Sequence, residues 1–305
     1  MNKPWLRNLF YSWVYYSFIG RIIYKVYKWI LRYIRGNSEL YRIADYSLKH
    51  QNSLNVGMIQ SVVMAVDQTS VLEWRDGLGR RTNPPKIDAF TVLRVDQCLL
   101  FSSKLFSERR ELESRYRRFD KAIQPILDKK GFKCDLTKPS PHGVVIVASL
   151  VKISSVHELL HTLNARASTK YDSENTIHER RLRELWDLMM PKEPLKSRIS
   201  TQWTKIGFQG KDPATDFRGM GILGLDNLHY LAKHYPATAE RILDLSNHLS
   251  SGFSMAIVGI NLTYTCLNLF RNRELYYHFY VQGVNVEAFH EFYCKYQKLN
   301  SRFSL

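Results

Sequence analysis

The segment Trp203–Leu225 is the most unusual part of the chain, and its residue types suit the binding of a phosphate. It places five glycines and an Asp-Pro turn around a single arginine, Arg218. Glycines permit tight backbone paths and the close approach of another surface, while Asp212 and Asp216 are short acceptors able to hold a loop or cap a helix. An arginine on such a turn has little freedom to lose on docking. Chemistry alone favours the alternative, in which Arg218 pairs with Asp212 or Asp216 and only braces the loop.

The same segment contains the pattern Gly219-x-Gly221-x-x-Gly224, which matches a dinucleotide-binding fingerprint. That fingerprint requires a β-strand immediately before the glycines. Here an Asp-Pro turn and polar side chains precede them, without an apolar strand. The pattern is therefore weak evidence for a Rossmann-type nucleotide site.

A second candidate site is the sequence HELLH at positions 157–161, which is the HExxH pattern of zinc hydrolases. Two histidines one helical turn apart bind zinc beside a glutamate base, and Glu179 would be available as a third ligand. Ser155 and Glu158 also match a capping box, which explains the glutamate as a residue at the start of a helix. Because a zinc hydrolase uses this motif in the middle of a helix, that function is kept only as a remote alternative.

The amino-terminal segment, residues 4–34, is dense in Trp, Tyr, Phe, Ile and Leu. Its longest uncharged stretch is 13 residues, short of the ~20 that a membrane-spanning helix needs. Basic residues recur every three or four positions, on one face of a predicted amphipathic helix: Arg21, Lys25, Lys28, Arg32 and Arg35. Residues 5–35 then either lie in the interface of an anionic membrane or pack their apolar side on the protein core. The tryptophans and tyrosines slightly favour the membrane.

Composition limits the remaining functions. The 305 residues carry a formal charge of +16, which favours acidic partners. The basic stretches lack a zinc-finger spacing and an RNA-binding aromatic motif, so no nucleic-acid partner is predicted. The four cysteines lie far apart without a CxxC pair. This spacing argues against a disulfide framework and a cysteine zinc site, and it suits a reduced compartment.

The elements that position these residues are predicted to be helical. A first helix ends near Gly36, a plausible cap. More helix is expected from residue 38 to about 76, from 90 to 106, and over the charged stretch 107–121, which is typical of an exposed helix.

The second half of the chain carries stronger helical signals. The apolar run from Gly143 to Val151 fits either a lone strand or a buried helix. After it, a capping box at Thr176 and Glu179 and three apolar stripes at helical spacing predict further helices, the first of them stopped by Pro191. The predicted fold class is all-α.

The segment Trp203–Leu225 resembles the signature of the ELMO domain, W-x-x-I-G-F-Q-G-x-D-P-x-T-D-F-R-G-x-G-x-x-G-L, and contains all of it. The similarity continues in LWDLMMP upstream and in AIVGINLT and FYC downstream, and it covers about residues 171–294. Upstream of that region, extra sequence between about 102 and 155 interrupts the family's usual spacing. The aromatic amino terminus resembles the short ELMO-domain-containing proteins more than the large ELMO scaffolds that partner Dock exchange factors.

The resemblance implies a function. The short members include GTPase-activating proteins for Arf and Arf-like GTPases, and an arginine in the signature is the family's proposed catalytic residue. That position here is Arg218, which would act in trans on the GTP-bound GTPase, without a cofactor or a metal. The residues expected to shape the loop or contact the GTPase are Trp203, Gly207, Phe208, Gln209, Gly210, Asp212, Asp216, Gly219 and Gly221.

The implied organisation is an amphipathic amino-terminal helix, residues 1–36, followed by one helical ELMO-type domain, residues 37–305, with its signature at 203–225. The expected location is the cytoplasm, peripheral to intracellular membranes. The alternative to GTPase activation is a non-catalytic adaptor that binds a GTPase or an exchange factor through the same surface.

Overall fold

The computed structural model describes residues 13–14, 17–50, 63–66, 72–75, 80–115, 119–132, 140–248 and 252–303. The chain divides into two compact units, residues 1–158 and 159–305. The boundary falls inside one long helix, Pro141–Ser168. The predicted division at residue 36 stays a prediction.

The described part of the first unit consists of helices and one short hairpin. Its elements are α1 (Phe18–Arg35), α2 (Glu39–His50), β1 (Val63–Val66), β2 (Leu72–Arg75), α3 (Ala89–Leu100), a 3-10 helix (Ser103–Leu105), α4 (Phe106–Glu113), α5 (Phe119–Lys129) and the first part of α6 (Pro141–Ser168). Helix α2 packs on α3, and α4 packs on both α3 and α5. These contacts bury the apolar stripes of short amphipathic helices, which is how such helices become stable.

Helix α1 begins and ends where its sequence predicts. The Ser17 hydroxyl accepts the Gly20 N–H, and Gly36 adopts φ 69°, a left-handed conformation in which its own N–H donates to the Arg32 carbonyl. Glycine is favoured at such a position because it lacks a Cβ. The prediction that the first helix ends near Gly36 is confirmed.

The expectation of helix from residue 38 to about 76 holds for Glu39–His50 and is wrong at 63–66 and 72–75, which are strands; the rest of that range after His50 lies outside the described residues. Strands β1 and β2 pair antiparallel, with Val63 opposite Arg75 and Met64 opposite Trp74. Trp74 is buried, so the hairpin contributes to the core through a side chain that suits a pleated surface. The weak apolar periodicity of this stretch did not distinguish a strand from a helix.

Helix α6 is buried for much of its length. The Ser140 hydroxyl accepts the Gly143 N–H at 3.2 Å, and Pro141 occupies the first helical position, where its missing N–H costs nothing. Residues 144–147 are all fully buried, as expected of a helix that is apolar on every side. The run 143–151 is therefore helical, and its interpretation as a lone strand is wrong.

Among the described residues, α6 is also the one helix long and apolar enough to cross a membrane. However, 72% of its apolar stretch is buried inside the protein. A buried core helix satisfies the same criteria of length and composition, so α6 is weak evidence for a membrane span.

The second unit is built around one central helix. Its elements are the end of α6, α7 (Thr176–Met189), two 3-10 helices (Thr201–Ile206 and Pro213–Gly219), α8 (Gly221–His234), α9 (Pro236–Ser246), α10 (Met255–Arg271), α11 (Tyr276–Gln282) and α12 (Val286–Phe303). Helix α8 packs against α7, α9, α10 and α12. Most of its residues are buried, including two polar ones, Asp226 and Asn227. The predicted all-α fold class is confirmed, with the hairpin in the first unit as the exception among the described elements.

Helix α7 starts one residue away from the predicted capping box. Asn175, not Thr176, is its N-cap, and the Asn175 side chain accepts the N–H groups of Ile177 and His178. Glu179 is consequently free to bind other partners, which lie next to the signature segment. The helix ends at Met189, before Pro191, as predicted.

Candidate functional site

The signature segment begins with a chain of buried aromatic rings. Trp203 is fully buried, and its Nε1 donates to the carbonyl of Arg198 at 2.7 Å. Its ring lies 5.3 Å from that of Trp186 and 5.7 Å from that of Phe208, both edge to face. Phe208 continues the chain to Phe217, at 5.6 Å. Trp203 and Phe208 are thus core residues that set the shape of the loop from beneath, and they do not form its surface.

Arg198, which the sequence did not single out, links this core to the loop through its contacts with Glu179 and Asp212. Arg198 Nε donates to Glu179 Oε1 at 2.7 Å, and its Nη2 lies 3.1 Å from Asp212 Oδ1. The hydroxyl of Tyr171 donates to the same Glu179 oxygen at 2.5 Å. Burial alone would lower the pKa of Arg198, but its bonds to Glu179 and Asp212 outweigh that effect and raise the pKa. Arg198 lies outside the signature, and no spacing in the sequence linked it to Asp212.

Both carboxylates of the loop already accept hydrogen bonds. Asp212 is the N-cap of the 3-10 helix Pro213–Gly219, and its Oδ1 accepts the Ala214 N–H at 3.0 Å. Asp216 Oδ2 accepts the backbone N–H of Gln209 at 2.9 Å, which joins the two 3-10 helices. These bonds are the helix-capping and loop-holding roles that short acidic side chains usually have.

Arg218 lies on the exposed surface of the loop. Its Nε donates to the carbonyl of Thr215 at 2.7 Å, one turn back in the same 3-10 helix. Within the described residues it forms no ion pair with Asp212 or Asp216, and its two terminal nitrogens make no hydrogen bond. The interpretation of Arg218 as a brace paired with either aspartate is therefore wrong. The bond to Thr215 fixes the base of the guanidinium, and its outer edge faces solvent.

Two of the glycines are required by the backbone. Gly207 has φ +86°, and a Cβ there would lie 2.2 Å from the backbone N of Met255. Gly221 has φ +51°, and a Cβ there would lie 2.2 Å from the carbonyl oxygen of Thr169. Only glycine allows such close backbone contacts. A 3-10 helix precedes Gly221, where a dinucleotide fingerprint needs a strand.

The other two glycines predicted for the loop, Gly210 and Gly219, have open space around them. A Cβ at either position would meet nothing within 4 Å. Gln209 and Gly219 are exposed, like Arg218. Because nothing lies close to Gly219, the residue after Arg218, another surface has room to approach the backbone there.

The HExxH motif lies in the middle of α6, so the capping box predicted at Ser155 and Glu158 is wrong. The Ser155 hydroxyl donates to the carbonyl of Val151, inside the continuous helix. His157 is buried, with Nε2 at 3.8 Å from a carboxylate oxygen of Glu113. Glu179, the suggested third ligand, instead accepts from Tyr171 and Arg198. In the described parts of the chain, no group of three or more His, Cys, Asp or Glu residues is arranged to hold a metal ion.

Comparison with known proteins points to one family. The sequence profile described as ELMO/CED-12 family matches residues 161–303, which include the whole signature segment. ELMO domain-containing protein 2 from Bos taurus is 40% identical over 204 residues, which are 66% of this chain and 69% of that protein. The Homo sapiens protein of the same name is 43% identical over 178 residues, 57% of this chain and 60% of that protein.

A more distant relative matches over more of the chain. ELMO domain-containing protein B from Dictyostelium discoideum is 30% identical over 274 residues, 89% of this chain and 82% of that protein. No solved structure matches the chain.

Proposed function

This chain belongs to the ELMO/CED-12 family, and from that premise we propose that it is a GTPase-activating protein for an Arf or Arf-like small GTPase. In this proposal Arg218 enters the active site of the GTP-bound partner and stabilises the transition state of hydrolysis. The chain supplies this residue in trans and has no independent turnover of its own.

The observation that carries the proposal is the contrast between Arg218 and the two aspartates beside it. Asp212 and Asp216 accept backbone N–H groups, and Asp212 also pairs with Arg198. Arg218 is exposed, and among the described residues it is held only through Nε, by the Thr215 carbonyl. A guanidinium with two unpaired terminal nitrogens does not brace the loop through an ion pair. Such a group is available to an anionic partner in another molecule.

The chemistry of GTP hydrolysis fits such a group. Charge develops on the oxygens of the γ-phosphate, and an arginine supplied in trans accelerates hydrolysis by ~10³–10⁵. The guanidinium remains charged at physiological pH and its planar fork matches the geometry of a phosphate. Because the Thr215 carbonyl engages Nε, the two terminal nitrogens of Arg218 are free to form that fork.

The rigid frame of the loop adds to the effect. Asp212, Asp216 and the aromatic chain beneath Phe217 fix the short 3-10 helix that carries Arg218. A pre-positioned side chain loses less conformational freedom on docking, and positioning alone contributes several kcal/mol to many enzymatic barriers.

Single-turnover GTP hydrolysis by a panel of Arf and Arf-like GTPases, with and without this chain, tests the proposal. We expect acceleration of at least one member, and loss of most of it in Arg218→Lys, which keeps the charge but loses the fork. Arg241→Lys, at an exposed arginine on α9, is the matched control and should keep full activity. Circular dichroism and thermal melting establish that both variants fold.

Three results distinguish the alternatives. Acceleration by Arg218→Lys equal to that of the unsubstituted chain would make Arg218 structural. Binding of a GTP-loaded GTPase without any acceleration would indicate the non-catalytic adaptor. If the chain neither binds nor activates any GTPase of the panel, Arf and Arf-like GTPases are excluded as its partners.

A further inference from the structure

Within the described residues, helix α1 contacts the rest of the first unit mainly through one narrow strip of its surface. Gly20 is buried, and a Cβ there would lie 2.8 Å from the carbonyl oxygen of Trp13. One and two turns on, Tyr24 donates to Glu39 Oε1 at 2.7 Å and Lys28 Nζ lies 3.0 Å from Glu39 Oε2. At 100° per residue these positions lie on the same side of the helix.

The opposite side of α1 is apolar and open to solvent. Trp29 is 70% exposed and Tyr33 is 84% exposed, and their rings stack at 6.2 Å. At 100° per residue the exposed apolar side chains occupy an arc of about 180°. They are Phe18, Ile19, Ile22, Ile23, Val26, Tyr27, Trp29, Ile30, Tyr33 and Ile34. Much of the apolar side of α1 is thus left uncovered by the described part of the first unit, and so large an exposed patch marks an interaction surface.

A row of basic side chains lies along one edge of this arc. Arg21, Lys25 and Arg32 are exposed there, on the same helical face as Lys28. Lys28 is directed to Glu39, which it meets at 3.0 Å. The sequence places Lys28 on the same face as the other basic residues, but in the structure its charge is paired with Glu39 and does not add to the basic surface.

We propose that this surface, the exposed apolar arc of α1 with Arg21, Lys25 and Arg32 at its edge, lies in the interface of an anionic lipid bilayer. The apolar side chains would enter the boundary between headgroups and acyl chains, and the three basic side chains would bind acidic headgroups. Tryptophan and tyrosine, both present in the arc, are the side chains enriched at that depth. The inference is independent of the role proposed for Arg218.

The charge and length of α1 favour a lipid surface over two other possibilities, a membrane-spanning helix and a second copy of the chain. The 18-residue helix carries five basic residues, and within the described part of the chain it is not among the helices apolar enough to span a bilayer. A second copy of the chain would bring an identical basic row and another +16 formal charge, which opposes close association at low salt. Acidic headgroups complement both the row and the net charge.

Co-sedimentation of the full chain with lipid vesicles tests the proposal. Phosphatidylcholine vesicles with added phosphatidylserine should bind the chain much more strongly than phosphatidylcholine alone, and added salt should weaken the binding. Lys25→Gln should lower the partition coefficient about fivefold, the usual effect of one basic side chain near an anionic surface. Lys28→Gln removes the same charge about one turn further along the helix. Because that charge is already paired with Glu39, the partition coefficient should change by about twofold or less. Trp29→Ala should weaken binding to both kinds of vesicle.

Controls keep each outcome decisive. Lys49→Gln removes an exposed charge on α2, outside the proposed surface, and should bind like the unsubstituted chain. Equal binding to neutral and anionic vesicles would overturn the electrostatic part. Equal losses in Lys25→Gln and Lys28→Gln would overturn the orientation of the helix. Sedimentation velocity without lipid completes the set: a dimer that Trp29→Ala dissociates, with no lipid binding, would assign the surface to self-association instead.

Discussion

The guanidinium of Arg198 lies 3.1 Å from the carboxylate of Asp212, the residue that begins the 3-10 helix carrying Arg218. One edge of Arg198 therefore holds the start of that helix, and its Nε binds Glu179 on α7. The arrangement separates two arginines by role. Arg198 is internal, paired and part of the frame, while Arg218 is exposed and, in the described part of the chain, held only at its base.

This pairing leads to a graded prediction at Asp212. Asp212→Asn keeps an acceptor for the Ala214 N–H but removes the charge that Arg198 meets. We expect it to stay within ~0.5 kcal/mol of the original stability and to keep most of the GTPase activation. Asp212→Ala removes the cap as well and should cost about 1–2 kcal/mol and most of the activation. Urea denaturation and single-turnover hydrolysis measure the two effects, and identical behaviour of both variants would mean that the cap has no role.

A second prediction concerns the glycines that frame the loop. Gly207→Ala forces φ +86° on a residue with a Cβ and brings that atom 2.2 Å from the Met255 nitrogen. We expect a loss of at least ~2 kcal/mol in the free energy of unfolding. Gly210→Ala, where the added Cβ meets nothing within 4 Å, is the matched control and should change stability by less than ~1 kcal/mol. A Gly207→Ala variant as stable as the control would show that α10 shifts easily at this contact.

The local elements of this fold follow from the sequence where one physical cause dominates. Gly36 ends α1 because a left-handed cap favours glycine. Pro191 follows the end of α7, since proline lacks the N–H that would continue the helix. Residues 144–147 were ambiguous because a continuous apolar run suits a buried strand and a buried helix equally. The cap at Ser140 and Pro141 was the local signal that would have decided between them.

The candidate site, like the fold, could be predicted from the sequence only in part. The signature contains Arg218 and the two aspartates, but the sequence alone does not show which of them pair. The partner of Asp212 is Arg198, and the partner of Asp216 is a backbone N–H. Those pairings depend on tertiary packing: Trp203 of the first 3-10 helix meets Trp186 of α7, and the second 3-10 helix packs against α8 and α10. Periodicity also could not show that the Lys28 side chain is directed to Glu39, because Lys28 lies on the same helical face whether its side chain meets Glu39 or solvent.

The HExxH motif leads to a prediction about metal removal. The two histidines have no third ligand group among the described residues, and Glu179 already accepts from Arg198 and Tyr171. Dialysis against EDTA should therefore leave the melting temperature and the GTPase activation unchanged. Elemental analysis of the purified protein should find zinc well below one equivalent per chain. One tightly bound zinc, lost in His157→Ala together with a peptidase activity, would revive the hydrolase alternative.

A final prediction concerns pH and the buried histidine of α12. His290 is buried against α8, where the Asn227 amide donates to Thr263 and leaves its oxygen to accept from His290 Nδ1 at 2.6 Å. The ring stacks on Tyr230 at 4.8 Å. Burial lowers the pKa of His290 to about 4. The charged side chains around it act in both directions, Asp226 and Glu287 raising the pKa and Arg166 and Arg181 lowering it.

Because the pKa of His290 is lower in the folded state than the ~6.5 of an exposed histidine, the unfolded chain takes up a proton that the native protein does not. The contribution of His290 to stability is therefore present above about pH 6.5 and is lost as the pH falls toward about 4, by up to ~3 kcal/mol. Burial also lowers the pKa of His229, which acts with the same sign, so the comparison must be made between variants. His290→Gln should be less stable than the original chain near neutral pH but should lose less stability on acidification. Urea denaturation at about pH 7, 5.5 and 4.5 measures the difference, and equal slopes for the two proteins would show that His290 takes up its proton in the folded state as readily as in the unfolded chain.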